Sequence, residues 1–302
     1  MKTRQIISKK SIYLYLLFLM LPTMFVGNVS AQNLDEIKGK GVLRHLGVKY
    51  ANFVTGSGDG LDVELMQLFA EYLGVEYVYV QTSWSDVIGD LTGKRVKAKG
   101  DDIEIIEDVP IKGDIIANGL TKLNWREKVI DYSDPTFPSQ VWLIAKANSS
   151  LKPITPTGNI DEDIKMTKEQ LKDQSVLAVS NTCLDPKLYQ LSKTGADIRL
   201  FTGNLNQIAP AVIKGDASSS ILDVPDALVA LEKWAGEIKV IGPVSHQQVM
   251  GTAFRKDSPE LKTEFKKFFT QCKDDGTYLR LINKYYPAVF DYFSEFFSDI
   301  VK

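Results

Sequence analysis

Residues 61–82, LDVELMQLFAEYLGVEYVYVQT, change their repeat halfway along. Leu61, Leu65, Leu68, Phe69 and Tyr72 recur at three- and four-residue steps, which lines apolar side chains along one face of a helix, and Gly74 supplies a stop. From Val75 onward apolar and polar residues alternate among β-formers, the mark of a half-buried strand. Just upstream, GVLRHLGVKY (41–50) reads as a strand; just downstream, SDVIGDLTG (85–93) reads as a short helix. Strand, helix, strand, helix in this order predicts an α/β fold.

Working outward, KRVKAKGDDIEIIEDVPIK (94–112) mixes charge with a short apolar patch and predicts a solvated loop or small hairpin before the buried strand DIIANGL (114–120). QVWLIAK (140–146) reads as a strand, and ANSSLKPITPTGNIDED (147–163) has the Pro, Gly and Ser content of a connector. A second α/β unit follows: SVLAV (175–179), a helix over DPKLYQLSKTG (185–195), DIRLF (197–201), a helix over LNQIAPAVIKG (205–215), SSSILD (218–223), a helix over VPDALVALEKW (224–234) and IKVIG (238–242). Residues 258–286 predict two helices joined through Gly276. If the chain returns to the first unit near QQVMGTAFRK (247–256), two lobes follow: residues 32–140 with 248–302, and residues 141–247.

The first residues predict export. MKTRQIISKK is a basic segment, SIYLYLLFLMLPTMFVG an apolar one, and Val29-Ser30-Ala31 a small-residue cleavage site, so residues 1–31 read as a signal peptide. Pro22 interrupts the apolar run before it reaches the roughly 20 residues of a spanning helix. A soluble periplasmic product is expected. Losing Lys2, Arg4, Lys9 and Lys10 takes the basic count from 36 to 32 against 38 acids, a net charge of −6 that gives no attraction to nucleic acid or an anionic membrane. Cys183 and Cys272 lack C-x-x-C spacing, so neither a redox motif nor a metal site is encoded, and their pairing in an oxidising compartment is left open by the sequence.

A catalytic triad needs a histidine base, yet the only histidines are His45, within the first strand, and His246, in a loop; both read as structural. The remaining constellation suits binding. Arg126 can hold a carboxylate in a bidentate pair and Thr121 can donate to the same anion. Asn118 and Gly119 lie at the C-terminal end of a strand, where open α/β sheets bind ligands, and Asp223 ends another strand, where it can meet an ammonium. Tyr50 and Trp84 fall at strand ends and can enclose an apolar part. Each has a plainer alternative: Arg126 as a surface ion-pair partner, Trp84 as core, Asp223 as the N-cap of the following helix.

From Gly41 to Tyr286 the order of YANF, GLDVELMQLFAEYLGVE, WSDVIGDLTG, GLTKLNWREKVIDYSDP, VIKGDASSSILDVPDALVAL, GTAFRKDSPEL and DGTYLRLINKYY resembles the amino-acid-binding periplasmic proteins of ABC importers, solute-binding protein family 3. The threonine, the arginine five residues later and the IDYSDP run (130–135), which is close to V-x-[FY]-S-x-P, are the most specific part. The resemblance implies a two-lobe type II periplasmic-binding fold with the ligand cleft between lobes, no catalysis, no cofactor, no metal, a monomer and a membrane permease as partner. It implies that Arg126 clamps the ligand α-carboxylate beside Thr121, that the Asn118 carbonyl and the Asp223 carboxylate take the ammonium, and that Tyr50 and Trp84 form the aromatic walls. Three departures bear on the ligand. LAVSNTC (177–183) replaces the usual Gly-Ser or Gly-Thr, so Thr182 or Cys183 would supply the second lobe's carboxylate contact. Gly47 stands where cation-specific members carry an acid, and the 94–112 excursion is long. The rival readings are an exported dehydratase-like enzyme, with Glu64 or Asp185 as its acid, and a sensor that presents its ligand to a membrane receptor. A third rival, the binding module of certain lytic transglycosylases, is expected here without the catalytic domain.

Overall fold

A computed structural model of the chain describes residues 34–300; the signal peptide expected at 1–31 lies outside them. The chain enters through α1 (Leu34–Lys40), β1 (Val42–Gly47), α2 (Leu61–Leu73), β2 (Glu76–Gln81) and α3 (Val87–Thr92). The hairpin β3 (Lys94–Lys99) and β4 (Asp102–Asp108) precedes β5 (Ile115–Ile116), α4 (Asn124–Glu127), β6 (Ile130–Tyr132) and β7 (Phe137–Ser139). Then come β8 (Val141–Lys146), α5 (Ile160–Glu169), β9 (Ser175–Ala178), β10 (Asp197–Leu200), α6 (Ile208–Lys214), β11 (Ser219–Asp223), α7 (Val224–Lys233) and β12 (Ile238–Pro243). β13 (Gln248–Met250), β14 (Ala253–Arg255), α8 (Pro259–Asp274), α9 (Thr277–Tyr285) and α10 (Val289–Phe293) follow.

Two five-stranded sheets organise this order, one ordered β2-β1-β5-β14-β6 and the other β10-β9-β11-β8-β12. Each is the centre of one lobe. β1 pairs in parallel with β2 and β5, while β14, drawn from late in the chain, fits antiparallel between β5 and β6. In the second sheet β9 is parallel to β10 and β11, and β8 runs antiparallel to β11 and β12. The inner strands β8 and β11 are buried almost throughout, which suits their runs of apolar or small residues, VWLIA and SSIL, in strands covered on both faces. Between the sheets the chain crosses on β7 and returns on β13, and these two pair as an antiparallel ribbon.

The helix in the opening stretch buries Leu61, Leu65, Met66, Phe69 and Leu73 and ends at Gly74, whose φ of 71° satisfies the last carbonyls. Its buried stripe is rotated from the expected one, since Tyr72 is 40% exposed. Residues 185–195 form turns and a short 3-10 stretch over Leu191–Thr194 instead of the expected helix. Local polar bonds outcompete the helical ladder there: the Asp185 carboxylate accepts from the Asn181 and Lys187 N–H groups, and the Tyr189 hydroxyl donates to the Cys183 carbonyl. Past α9, Tyr292 packs on Trp142 at 5.1 Å and Phe297 on Phe137 at 6.3 Å, so the C-terminal segment touches both β7 and β8. No helix among the described residues is long and apolar enough to cross a membrane.

Candidate functional site

The site begins where β5 ends. Gly119 has a φ of 66°, and a Cβ there would lie 2.4 Å from the Phe53 ring, so the turn admits only glycine. Its N–H donates to Asp62 Oδ2 at 2.7 Å, which fixes the turn to the first residues of α2. Asp62 is enclosed, and burial pushes its carboxyl up to about 7 although the Gly119 bond acts in the opposite direction. Folding thus favours the protonated acid, a contribution fully present below the ordinary carboxylate range near 4 and lost as pH rises through 7. Asp62→Asn keeps an acceptor for Gly119 and removes this loss. It is expected to raise unfolding stability by about 2–4 kcal/mol at pH 8 and to leave it nearly unchanged at pH 4, checked by urea denaturation at both values.

Beyond that turn, Tyr50, Trp84, Gly119, Thr121, Arg126, Thr182, Cys183, Leu205 and Asp223 line a narrow cavity that in this arrangement is nowhere wide enough for a water molecule. Eight of these nine are residues singled out in the sequence; Leu205, from a short 3-10 turn before α6, carried no signal beyond its apolar type. Residues from both lobes meet here. Tyr50, after β1, donates its hydroxyl to Asp223 Oδ2 at 3.2 Å, and the Ala51 N–H donates to Asn206 Oδ1 at 2.9 Å. Trp84 meets Tyr50 edge-on at 5.4 Å.

Two opposite charges face this cavity without pairing to each other. Arg126 is 3% exposed, donates from Nη1 to the Thr121 carbonyl at 2.8 Å and lies over the Trp125 ring at 5.3 Å. Its Nε and the Thr121 hydroxyl have no hydrogen-bond partner, and Arg126 makes no ion pair among the described residues. Asp223, 1% exposed, accepts on Oδ2 from Tyr50 and from the Cys183 thiol at 2.9 Å, while Oδ1 has no partner. Burial pushes Asp223 up to about 6; the bonds from Cys183 and Tyr50 and the charge of Arg126 hold it from rising further. Asp226 is pushed up to about 8 by burial and by Asp223, so it adds no second full charge at neutral pH.

Asp223 does stand at the N-cap position of α7, but its side chain caps nothing and turns into the cavity. Arg126 is no surface ion-pair partner, being buried. Asn118 does not line the cavity; its side-chain amide is buried, with neither oxygen nor nitrogen bonded. The Thr182 hydroxyl donates to the Val179 carbonyl at 2.9 Å and the Cys183 thiol to Asp223, so neither is free to donate to an incoming carboxylate in this arrangement. Cys183 and Cys272 are both free and buried, the first in a turn after β9 and the second in α8. His45 lies in the core, where Nε2–H donates to the Ala117 carbonyl at 2.6 Å and Nδ1 accepts from Tyr77 at 2.8 Å; burial lowers it to about 4. Glu64 is engaged by Lys284 and Tyr285, and Asp185 by its own turn. Among the described residues no cluster of acids, histidines and cysteines could hold a metal ion. Sequence reading missed Ser139 and Gln248, two residues of the crossing strands that bury unpartnered oxygens; their only signal was polarity inside apolar strands.

Comparison with known proteins gives these features a context. The membrane-bound lytic murein transglycosylase F of Desulfosudis oleivorans is 28% identical over 239 residues, 77% of this chain and 46% of that protein. The chain thus spans about half the length of that relative. The L-cystine-binding protein TcyJ of Escherichia coli K12 is 24% identical over 77% of this chain and 76% of its own. Among solved structures, the ancestral amino acid-binding protein AncCDT-1, a precursor of cyclohexadienyl dehydratase, superposes with a TM-score of 0.65 at 26% identity, covering 84% of this chain and 98% of that one. The fold is the two-lobe type II periplasmic-binding fold. Residues 111–288 match the bacterial extracellular solute-binding proteins, family 3, and the chain belongs to that family.

Proposed function

We propose that the chain is an extracytoplasmic solute-binding protein that captures a small zwitterion, an amino acid or close relative, and delivers it to the permease of an ABC importer. The observation that carries this reading is the buried pair of unmatched charges: a guanidinium without a carboxylate and a carboxylate with a free oxygen face one enclosed cavity. An uncompensated buried charge is costly, and a ligand carrying the complementary ions removes the cost at both ends. In this reading Arg126 and Thr121 take the α-carboxylate, and Asp223 takes the ammonium. Tyr50 and Trp84 wall the apolar part, with Gly119, Thr182 and Cys183 completing the enclosure. The lobes, residues 32–140 with 248–302 and residues 141–247, close about the β7–β13 ribbon, and the protein acts as a periplasmic monomer after losing residues 1–31. The likeness to the L-cystine-binding protein TcyJ and to the ancestral amino acid-binding protein supports an amino-acid ligand.

The test is isothermal titration of the ligand-stripped protein with the common amino acids. Micromolar or tighter binding of one class is expected, and silence across the whole set would overturn the reading. A second reading, a binding module that serves a murein-acting or sensing system, is favoured by the transglycosylase likeness. Binding of soluble muropeptides by this chain, with none of the amino acids bound, would support it over transport.

A further inference from the structure

The enclosed cavity does not end at Trp84. Trp84, Thr182 and Leu205 also line a groove of about 620 Å³ that runs outward beneath the β3–β4 hairpin, between it and the turns at 179–182 and 202–205 of the second lobe. The excursion at 94–112 is therefore more than a solvated loop: one side of it roofs the approach to the site.

The charges of this groove have one sign. Its lining includes Lys49, Arg95 and Lys97 and no aspartate or glutamate. Arg95 is already matched, by Asp86 at 3.1 Å and by Glu107 across the hairpin. Lys49 and Lys97 make no ion pair among the described residues; Glu104 stands opposite Lys97 in the hairpin register without an ionic contact and does not line the groove. A cationic ligand tail leaving the cavity past Trp84 would meet two unmatched ammonium groups and no acceptor carboxylate. An anionic tail would meet a field focused between two low-dielectric walls.

We propose that the ligand is an amino-acid-type zwitterion carrying a further carboxylate beyond its head group, and that Lys49 and Lys97, which line the groove, select for that carboxylate. This rests on the reading of the cavity given above and names the class of ligand within it. Both lysines are exposed, so their effect is screened by salt and modest in size.

The experiment titrates the ligand-stripped protein at low and physiological ionic strength with L-glutamate, L-2-aminoadipate, L-glutamine and L-arginine, and repeats it on K49Q/K97Q. The two anions are expected to bind about tenfold tighter than glutamine or arginine. The double variant is expected to weaken them about three- to tenfold and to leave glutamine unchanged, and the anion preference of the native protein should shrink with added salt. Tighter binding of arginine or glutamine than of either anion overturns the inference while leaving the binding function standing. An anion preference that survives the double variant overturns the assignment to these lysines. Silence with all four, and with the other common amino acids, overturns the proposed function together with this inference.

Discussion

Arg126→Ala is expected to weaken binding of an α-amino acid by about a thousandfold, roughly 3–5 kcal/mol, because a buried carboxylate loses its only cationic partner. The same change is expected to leave the thermal midpoint of the ligand-free protein unchanged or raised. In that state the guanidinium is buried with Nε unpartnered and makes no ion pair, so its removal relieves a desolvation cost that offsets the loss of the Thr121 carbonyl bond, the Trp125 contact and the attraction to Asp223. The two readouts move in opposite directions, which separates a ligand clamp from a structural arginine. A structural arginine would lower the melting temperature in parallel with any affinity. Titration and melting of the same preparation decide it, and an affinity loss below about tenfold, near 1.4 kcal/mol, counts against the clamp.

Asp223→Asn has the second large effect and a pH signature. The Asp223 carboxyl sits near 6, above its ordinary value, because it is buried, so a fraction that grows as pH falls below 6 is protonated and cannot pair with an ammonium. Ligand ammonium favours the ionised form, so binding below pH 6 displaces a proton. The native affinity is expected to fall by up to about tenfold per pH unit there. The facing groups do not mask this slope below pH 6: burial drives Cys183 and Tyr50 well above their ordinary values, and burial with Asp223 pushes Asp226 up to about 8. Asp223→Asn is expected to cost about a hundredfold in affinity at pH 7.5 and to abolish the slope. Titrations from pH 4.5 to 8 on both proteins check the pair of outcomes; a slope retained by the variant would assign the proton elsewhere.

How much of this was legible in residue order depended on range. The helix and strand in residues 61–82 could be read because their periodicity is local, and the boundaries at Gly74 and β2 follow it closely. Arg126 and Thr121 were legible for a similar reason, as one short turn carries both, and α4 there needs only four residues. The apposition of Tyr50 with Asp223, 173 residues apart, depends on how two sheets face each other, which no local pattern encodes. The failed helix at 185–195 shows the converse: its composition suits a helix, but the Asp185 and Tyr189 side chains hold the backbone in turns. The hairpin at 94–112 was visible as an excursion, while its position over the groove was not, since a strand pair carries no record of what it overhangs.

The place of β14 has a consequence for how the chain is made. Every strand of the second sheet lies within residues 141–243, so that sheet is complete as soon as this segment has emerged. The first sheet has a gap between β5 and β6 that only residues 253–255 fill. During synthesis, the half of the molecule that comes out first must therefore wait, with open strand edges, for nearly the whole of the half that follows. Such edges invite wrong partners, and a long wait for a distant strand is slow to end. Whatever shields the nascent chain from wrong pairing therefore has more to protect in its early residues than in its late ones.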